Sequence, residues 1–201
     1  MNEDIGKRII AFTSQSLKEY GIHAVRMNDI ARNMSMSKRT IYEIYASKEN
    51  LIYLCFAAYQ DRTVNRFQII RCGTTDDIEY LWSIIRLYIE NLYKAKTIFW
   101  LDIARSSNYQ YIYSSYNSIW TDELKRIVSS CREENTVIRN INIDTYVDNF
   151  IKLLYNARVT EHTSAMLEES AYFMTRGILT LSGMKRFDYM FEKQALNLIF
   201  Q

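Results

Sequence analysis

The stretch Asp29-Ile30-Ala31-Arg32-Asn33-Met34-Ser35-Met36-Ser37-Lys38-Arg39-Thr40-Ile41-Tyr42-Glu43-Ile44-Tyr45-Ala46-Ser47-Lys48-Glu49 decides the fold of this chain, because it predicts two short helices joined by a tight turn. Met27, Ile30, Ala31 and Met34 recur at helical spacing and give the first of these helices one apolar face. This pattern stops at residue 35, so we expect a turn there before a second helix begins.

The second helix of the pair starts with polar and basic residues. Ser37 is predicted to cap it, since a serine oxygen accepts a backbone N–H from the first helical turn. Ile41, Ile44 and Tyr45 are expected to face inward, which leaves residues 38–42 largely on the outside. Cations and hydroxyls at the start of an exposed second helix are what a helix-turn-helix needs to enter a DNA major groove.

This segment resembles the DNA-binding domain of the tetracycline-repressor (TetR) family of transcriptional regulators. The family pattern has a glycine that ends the first helix, then Thr-x-x-x-Ile-Ala, then Gly-Val-Ser-x-x-Thr-Leu-Tyr-x-Tyr-Phe-x-Ser-Lys-Glu. The chain departs from it at Arg26, which cannot cap as a threonine would, and at Ser35, which replaces the turn glycine. Identical positions are Gly21, Ile30, Ala31, Ser37, Thr40, Tyr42, Ser47, Lys48 and Glu49, while Met36, Ile41, Ile44 and Tyr45 match in kind.

The resemblance implies that the second helix of the pair reads operator DNA. We expect its first residues to reach bases or adjacent phosphates, and Tyr42 to bond a phosphate. Lys48 should meet another phosphate at the positive N-terminus of the next helix. The alternative is that Lys38 and Arg39 are solvated surface charges. The predicted DNA contacts are Arg26, Ser37, Lys38, Arg39, Thr40, Tyr42, Tyr45 and Lys48.

The composition predicts an all-α protein. Of the 201 residues, 48% are hydrophobic and 24% charged, which is typical of a globular chain. Proline is absent and there are only 5 glycines, so long helices are favoured. We predict residues 1–47 to form a three-helix DNA-binding domain with the helix-turn-helix, and residues 48–201 a larger helical ligand-binding and dimerisation domain. Nine of the predicted helices cover about residues 4–20, 27–34, 37–44, 48–70, 97–106, 109–134, 145–161, 166–183 and 185–200. A further helix, the fifth in chain order, is predicted to be capped by Thr74 or Thr75 and to reach residue 92.

The sequence offers no catalytic or metal-binding constellation, so we expect no enzyme activity, no metal and no cofactor. There are two histidines, His23 and His162, and neither Gly-x-Ser-x-Gly, His-Glu-x-x-His nor a glycine-rich phosphate loop occurs. The three cysteines, Cys55, Cys72 and Cys131, form no Cys-x-x-Cys pair and are typical of reduced thiols in a cytoplasmic protein. No apolar run predicts a membrane span. A helical enzyme or scaffold with an incidental helix-turn-helix is the more distant alternative.

Aromatic residues make up 14% of the chain and include 16 tyrosines. Tyrosine and tryptophan supply large apolar walls with one polar tip, which suits a pocket for a planar or amphipathic molecule. They suit the core of a helical domain equally well, and both interpretations stay open. The family resemblance implies a pocket at about residues 82–120 and 150–158. The candidate pocket residues are Tyr59, Phe67, Trp82, Tyr88, Trp100, Tyr113, Tyr116, Trp120 and Tyr155.

Two late segments, residues 145–160 and 167–183, carry enough apolar surface to pack with their symmetry copies as a four-helix bundle. Gly177 would let the backbones approach closely. The alternative is burial within one subunit. The predicted dimer residues are Tyr146, Phe150, Leu153, Leu154 and Ala157 on the first segment, and Ala171, Met174, Ile178 and Leu181 on the second.

These features predict a homodimeric transcriptional regulator, expected to be a repressor that leaves double-stranded operator DNA when a small amphipathic or aromatic molecule binds. The fourth helix should transmit the signal, tilted by a ligand near Tyr59, Thr63 or Phe67. The opposing view is that this helix is only a structural strut. The main alternative function is a DNA-binding regulator whose C-terminal domain serves only dimerisation or a protein partner.

Overall fold

The computed structural model describes residues 2–199, without the side chains of residues 2, 3, 112 and 192–199. This part of the chain folds into ten helices, with one isolated antiparallel bridge between Val137 and Leu179, so the predicted all-α class is confirmed. None of the described helices is long and apolar enough to cross a membrane. The helices are α1 (Asn2–Tyr20), α2 (Met27–Asn33), α3 (Lys38–Tyr45), α4 (Lys48–Gly73), α5 (Asp77–Tyr93), α6 (Thr97–Arg105), α7 (Ser107–Glu133), α8 (Ile143–Val159), α9 (Ser164–Arg176) and α10 (Leu181–Ile199).

Three helices start from caps that the prediction missed. Asp76 caps α5, where Thr74 or Thr75 was predicted, and its Oδ1 atom accepts the backbone N–H of residue 78 at 2.7 Å. A carboxylate is a stronger acceptor than a hydroxyl, so the aspartate takes the cap position. Asn142 and Thr163 cap α8 and α9 in the same way, each accepting from the backbone three residues later.

The largest difference from the prediction lies at residues 177–180, which interrupt the continuous helix predicted over residues 166–183. Gly177 is the C-terminal cap of α9, and the backbone N–H of Thr180 then donates to the carbonyl oxygen of Thr136 at 2.9 Å. Gly183 lies inside α10, where a Cβ atom would clash with that same carbonyl. The segment is therefore held by a pairing with a distant loop, which the local helical period could not reveal.

The described chain divides into two compact units. Unit 1 comprises the chain up to Asn65 together with Tyr93–Ile119, and unit 2 comprises Arg66–Leu92 together with the chain from Trp120 onward. Helices α4 and α7 therefore contribute residues to both units, and α5 belongs to unit 2 except for its last residue, Tyr93. The predicted domain boundary after residue 47 is a functional one, and it stays a prediction.

The core of unit 1 draws on each of the first four helices. Ile9 of α1, Ile30 of α2, Ile41 of α3 and Leu51 of α4 are all at most 1% exposed. Ile22, in the turn after α1, is also fully buried. Burying these five side chains holds the helix-turn-helix against its neighbours, since each removes a large aliphatic surface from water.

Helix α5 is the central helix of unit 2. Twelve of its seventeen residues are buried, so it is apolar nearly all round, as expected for a helix surrounded by others. A polar network lies at the N-terminal end of α5, around Asp77. The Asp77 carboxylate pairs with Nη1 of Arg71 at 2.6 Å and accepts a hydrogen bond from the Ser130 hydroxyl. Burial alone would raise the pKa of Asp77, but these hydrogen bonds lower it overall.

Candidate DNA interface

The turn between α2 and α3 has the geometry that the sequence predicts. Ser35 takes a left-handed backbone with φ of +53°, the conformation that glycine adopts more easily. At the other end of α2, Arg26 occupies the cap position with an extended backbone and makes no side-chain cap bond. Both departures from the family pattern therefore leave the helix-turn-helix topology intact.

Ser37 starts α3 as predicted, because its hydroxyl accepts the backbone N–H of Thr40 at 3.1 Å. Ile41 and Tyr45, one turn apart, form the buried stripe of the helix and are 0% and 3% exposed. The prediction that Ile44 faces inward is wrong, since its side chain is 47% exposed. A helix turns by about 100° per residue, so the position before Tyr45 leaves the buried stripe.

Tyr45 must be removed from the predicted DNA contacts. Its ring is buried within unit 1, and its hydroxyl donates to the carbonyl oxygen of Gly6 at 3.1 Å. Burial also raises the pKa of this hydroxyl. The side chain holds α3 to α1 and leaves no surface for a ligand.

The remaining predicted contacts of α3 lie on its outer surface. The Lys38 ammonium lies 5.7 Å from the centroid of the Tyr42 ring, which is partly exposed. The Arg39 Nε atom donates to Oε1 of Glu43 at 2.8 Å. A basic, hydroxyl-bearing surface at the start of a helix can contact both phosphates and base edges. Arg26, Ser37, Lys38, Arg39 and Tyr42 are exposed, and Thr40 and Lys48 are half-buried.

The start of α4 is held close to this surface within unit 1. Ser47 caps the helix as predicted, accepting the backbone N–H of Asn50 at 3.0 Å. The Lys48 ammonium donates to the carbonyl oxygen of Ile22 at 2.6 Å, and burial lowers its pKa. An ammonium carries three N–H donors, so this bond leaves others for a phosphate.

Asp102 of α6 fixes the turn that precedes α2, and it was not among the predicted site residues. Its Oδ2 atom accepts the backbone N–H of His23 at 3.0 Å. Gly21 ends α1 as predicted with φ of +84°, and a Cβ atom there would lie only 2.6 Å from the same oxygen. The two partners are about 80 residues apart in the chain, so local sequence patterns carry no signal of this contact.

The predicted pocket residues of unit 1 belong to one aromatic cluster. Tyr59 and Tyr116 have ring centroids 4.9 Å apart, and Trp100 lies 6.3 Å from both Tyr113 and Tyr116. Phe56 adds an edge-on contact to Tyr116 at 5.6 Å. Such packing stabilises a core and can equally surround a ligand, so the pocket assignment stays a prediction.

The predicted pocket residues of unit 2 are less closely grouped. Trp120 packs edge-on against Phe67 at 5.0 Å and Tyr88 at 5.2 Å, whereas Trp82 contacts Phe187 at 5.5 Å. Burial raises the pKa of the half-buried Tyr155 to about 12. A surface cavity of about 430 Å³ in this unit has a different lining, formed by Lys125, Ser129, Arg132, Ile141, Asn142, Ile143 and Asp144.

Exposure divides the predicted dimer residues into groups. Phe150, Leu154, Ala171 and Ile178 are buried within unit 2, so they support the fold of one subunit and their assignment to an interface is corrected. Leu153 and Leu181 are exposed, while Tyr146, Ala157 and Met174 are half-buried.

The two most exposed large apolar side chains of α9 were not among the predicted dimer residues. Met166 and Phe173 are two turns apart on that helix and are 49% and 62% exposed. The helical period identifies an apolar stripe, but it does not tell which apolar residue faces the core and which faces solvent. Both side chains are therefore candidates for a surface that packs against another molecule.

A tight turn, a capped second helix and an exposed basic surface on that helix define a helix-turn-helix protein. Residues 9–53 match the model of bacterial regulatory proteins of the tetR family. The matched segment contains α2, α3 and the start of α4, so the chain carries a helix-turn-helix segment of the tetR type, as found in bacterial regulatory proteins. A search of curated proteins found no match.

Solved structures share the fold over most of the chain. A transcriptional regulator from Saccharomonospora viridis in complex with choline has a TM-score of 0.75 at 14% identity, over 89% of this chain and 99% of that one. A TetR-family regulator from Agrobacterium tumefaciens has a TM-score of 0.74 at 12% identity, over 90% and 100% of the two chains. The fatty acid degradation regulator FadR from Bacillus halodurans has a TM-score of 0.68 at 16% identity, over 83% and 92%.

Proposed function

We propose that this protein is a repressor that binds operator DNA as a homodimer and leaves it when a small molecule binds. The observation that carries the DNA-binding part is the outer surface of α3, where Lys38, Arg39 and Tyr42 are exposed beside a serine-capped start. Lys48 supplies a further cation at the N-terminus of α4, where the helix dipole also favours an anion.

Dimerisation is supported by the exposed apolar side chains of α8 and α9. Leu153, Met166 and Phe173 would be covered by the same residues of a second copy, as a two-fold interface requires. A dimer presents two copies of α3, which can occupy major grooves about 34 Å apart on one side of the duplex. Two linked contacts give far tighter binding than one.

A small-molecule ligand is supported by the aromatic content of both units and by the buried indole N–H groups of Trp82 and Trp120. Neither of these two N–H groups has a hydrogen-bond partner among the described residues, and Trp120 is the more deeply buried of the two. A ligand acceptor would satisfy such a group, since an unpaired buried donor is costly. The choline complex of the Saccharomonospora viridis regulator shows that a protein of this fold accommodates a small molecule. We therefore propose an aromatic or amphipathic ligand.

We propose that α4 transmits the signal. This helix begins at Lys48, which we assign to a phosphate, and its later residues include Tyr59, Thr63 and Phe67. A ligand packed against that later half would tilt the helix and change the spacing of the two α3 copies. Favouring the DNA-incompetent arrangement by about 1–3 kcal/mol is enough for a useful response.

Selection of bound duplexes from a random pool tests the DNA-binding part. Tyr42→Phe and Lys48→Ala should each weaken binding to the enriched duplex and to unrelated duplexes by the same factor, about threefold to tenfold, because each removes a phosphate contact. The slope of log Kd against log salt should also become shallower in Lys48→Ala, by about one phosphate. Unchanged affinity and unchanged slope in both variants would remove these residues from the interface.

Release of the enriched duplex by fractionated metabolite extracts tests the ligand part. An active fraction should raise the unfolding temperature of the DNA-free protein, since a ligand that binds the folded state stabilises it. If no fraction does either, the C-terminal domain serves dimerisation or a protein partner. Equal release from a variant in which a disulfide locks α4 to the helix-turn-helix would rule out the tilt.

A further inference from the structure

The middle of the exposed surface of α3 carries a carboxylate, which is unexpected on a surface that meets a polyanion. Ile41 and Tyr45 mark the buried side of this helix. Because a helix turns by about 100° per residue, Glu43 lies nearly opposite Ile41. Arg39 precedes Glu43 by one turn and shares this position at the middle of the exposed surface.

Arg39 and Glu43 are paired in the free protein. The Arg39 Nε atom donates to Oε1 of Glu43 at 2.8 Å, and the two side chains are 88% and 60% exposed. An exposed ion pair of this kind contributes little to folding stability. It does restrict the guanidinium, because it engages Nε and leaves both terminal nitrogens without a partner among the described residues.

The free terminal nitrogens of Arg39 match the chemistry of one base. Guanine presents the O6 and N7 acceptors in the major groove, and arginine is the side chain that most often bonds both. A carboxylate beside it repels phosphates and so lowers affinity for DNA of any sequence. Glu43 therefore weakens non-specific binding while it holds the side chain that can recognise guanine, and specificity commonly combines these two effects.

We infer that Glu43 is a specificity-determining residue of the interface: it positions the Arg39 guanidinium to read one guanine, and its charge lowers the affinity for every duplex, a loss that the guanine contact offsets only where that base is present. This inference rests on the proposed DNA-binding function. Arg39 is the residue that touches the base, and Glu43 acts through it.

The test uses the full chain and measures Kd for three duplexes: the enriched duplex, the same duplex with one guanine replaced by adenine, and a scrambled duplex. Glu43→Ala should bind the scrambled duplex about threefold more tightly, because one negative charge is gone, and should discriminate the guanine about tenfold less well. Glu43→Gln should also bind the scrambled duplex more tightly, but it should keep most of the discrimination, since an amide oxygen still accepts from Nε.

Asp29→Asn is the matched control. Asp29 also lies within 4 Å of an exposed arginine, with 3.9 Å between Oδ1 and Nη1 of Arg32, but on α2. Neutralising it should leave guanine discrimination unchanged. All the substituted side chains are at the surface, and circular dichroism checks that each variant is folded.

Two results would overturn the inference while leaving the DNA-binding function in place. Glu43→Ala could strengthen binding to all three duplexes by one common factor, which would make Glu43 a solvated charge. Arg39→Ala could keep the full preference for guanine, which would place the reading elsewhere. A wild-type protein that enriches no sequence and binds no duplex would instead overturn the proposed function itself.

Discussion

The outer surface of α3 and the outer surface of α9 differ in the large side chains that they expose. On α3, the side chains most open to water are charged, with Arg39 at 88% and Glu43 at 60% exposure. On α9, the apolar Met166 and Phe173 are 49% and 62% exposed, and the exposed Glu169 lies one turn from each of them on the same helix. The first surface is suited to a polyanion and the second to another apolar surface, so exposure separates two binding roles that helical periodicity alone does not distinguish.

Among the proposed substitutions, one that disrupts the exposed apolar residues of α9 should have the largest effect on DNA affinity, through loss of the dimer. Phe173→Asp places a charge where we expect a second copy to pack, and burying an unpaired charge is prohibitive. We expect a monomer at micromolar concentration by sedimentation velocity. Kd for the enriched duplex should rise by at least about 100-fold, because the linkage between two half-sites is lost.

Tyr20→Asp is the control for this change. Tyr20 lies on α1 and is 62% exposed, the same fraction as Phe173. Its substitution should leave the oligomeric state unchanged. If Phe173→Asp sediments as a dimer like the unmodified protein, the interface between copies does not include α9.

A substitution at Gly21, in the turn after α1, should shift the charged surface of α3 without changing any residue of that surface. Gly21→Ala should destabilise the protein by about 2 kcal/mol in denaturant unfolding, because alanine resists the left-handed backbone and its Cβ atom meets the Asp102 carboxylate. DNA binding should weaken as well, since this turn precedes α2 and α3.

Gly6→Ala provides the matched glycine substitution. Gly6 lies in α1, and the nearest atom to an added Cβ is the Tyr45 hydroxyl at 3.7 Å, an ordinary contact. Alanine favours a helix, so this variant should be as stable as the unmodified protein or more stable by about 0.5–1 kcal/mol. Equal destabilisation by the two substitutions would show that Gly21 has no special role.

Acid should destabilise unit 2 more than unit 1, because unit 2 contains the Asp77 carboxylate. The folded-state pKa of this carboxyl lies below its ordinary value of 3.8, so the ionised carboxylate stabilises the fold above about pH 4. This contribution is lost as the pH falls through the folded-state pKa. Asp77→Asn should cost about 1–2 kcal/mol at pH 7, and the difference from the unmodified protein should shrink toward pH 3. Denaturant unfolding at the two pH values measures it, and a difference that stays constant with pH would contradict this role.

The sequence pattern predicted those features of the fold that depend on neighbouring residues, namely the helices and two of their N-terminal caps. The helical periods placed all ten helices, and Ser37 and Ser47 cap α3 and α4 as their sequence positions indicate. Residues 177–180 depart from the predicted helix, and there Thr180 bonds to Thr136, far away in the chain. Asp102 likewise reaches the turn after α1 across a long sequence separation.

The candidate interface was predictable in part for the same reason. The capping and basic residues of α3 follow from their order in the sequence, whereas the burial of Tyr45 depends on the carbonyl of Gly6 in another helix. The i, i+4 spacing of Arg39 and Glu43 was visible in the sequence and could have indicated their pairing. On α8 and α9, both the buried and the exposed apolar residues recur at helical spacing. Which of them stay exposed to solvent is therefore decided by packing within the subunit.

The central claim is that the outer surface of α3 selects DNA sequence. The most direct measurement is the ratio of Kd for a scrambled duplex to Kd for the enriched duplex, in the unmodified protein and in a variant with Lys38→Ala, Arg39→Ala and Tyr42→Phe combined. We expect a ratio of at least about 1,000 for the unmodified protein and a ratio near one for the variant, with an unchanged unfolding midpoint. A folded variant that keeps the full ratio would contradict the claim.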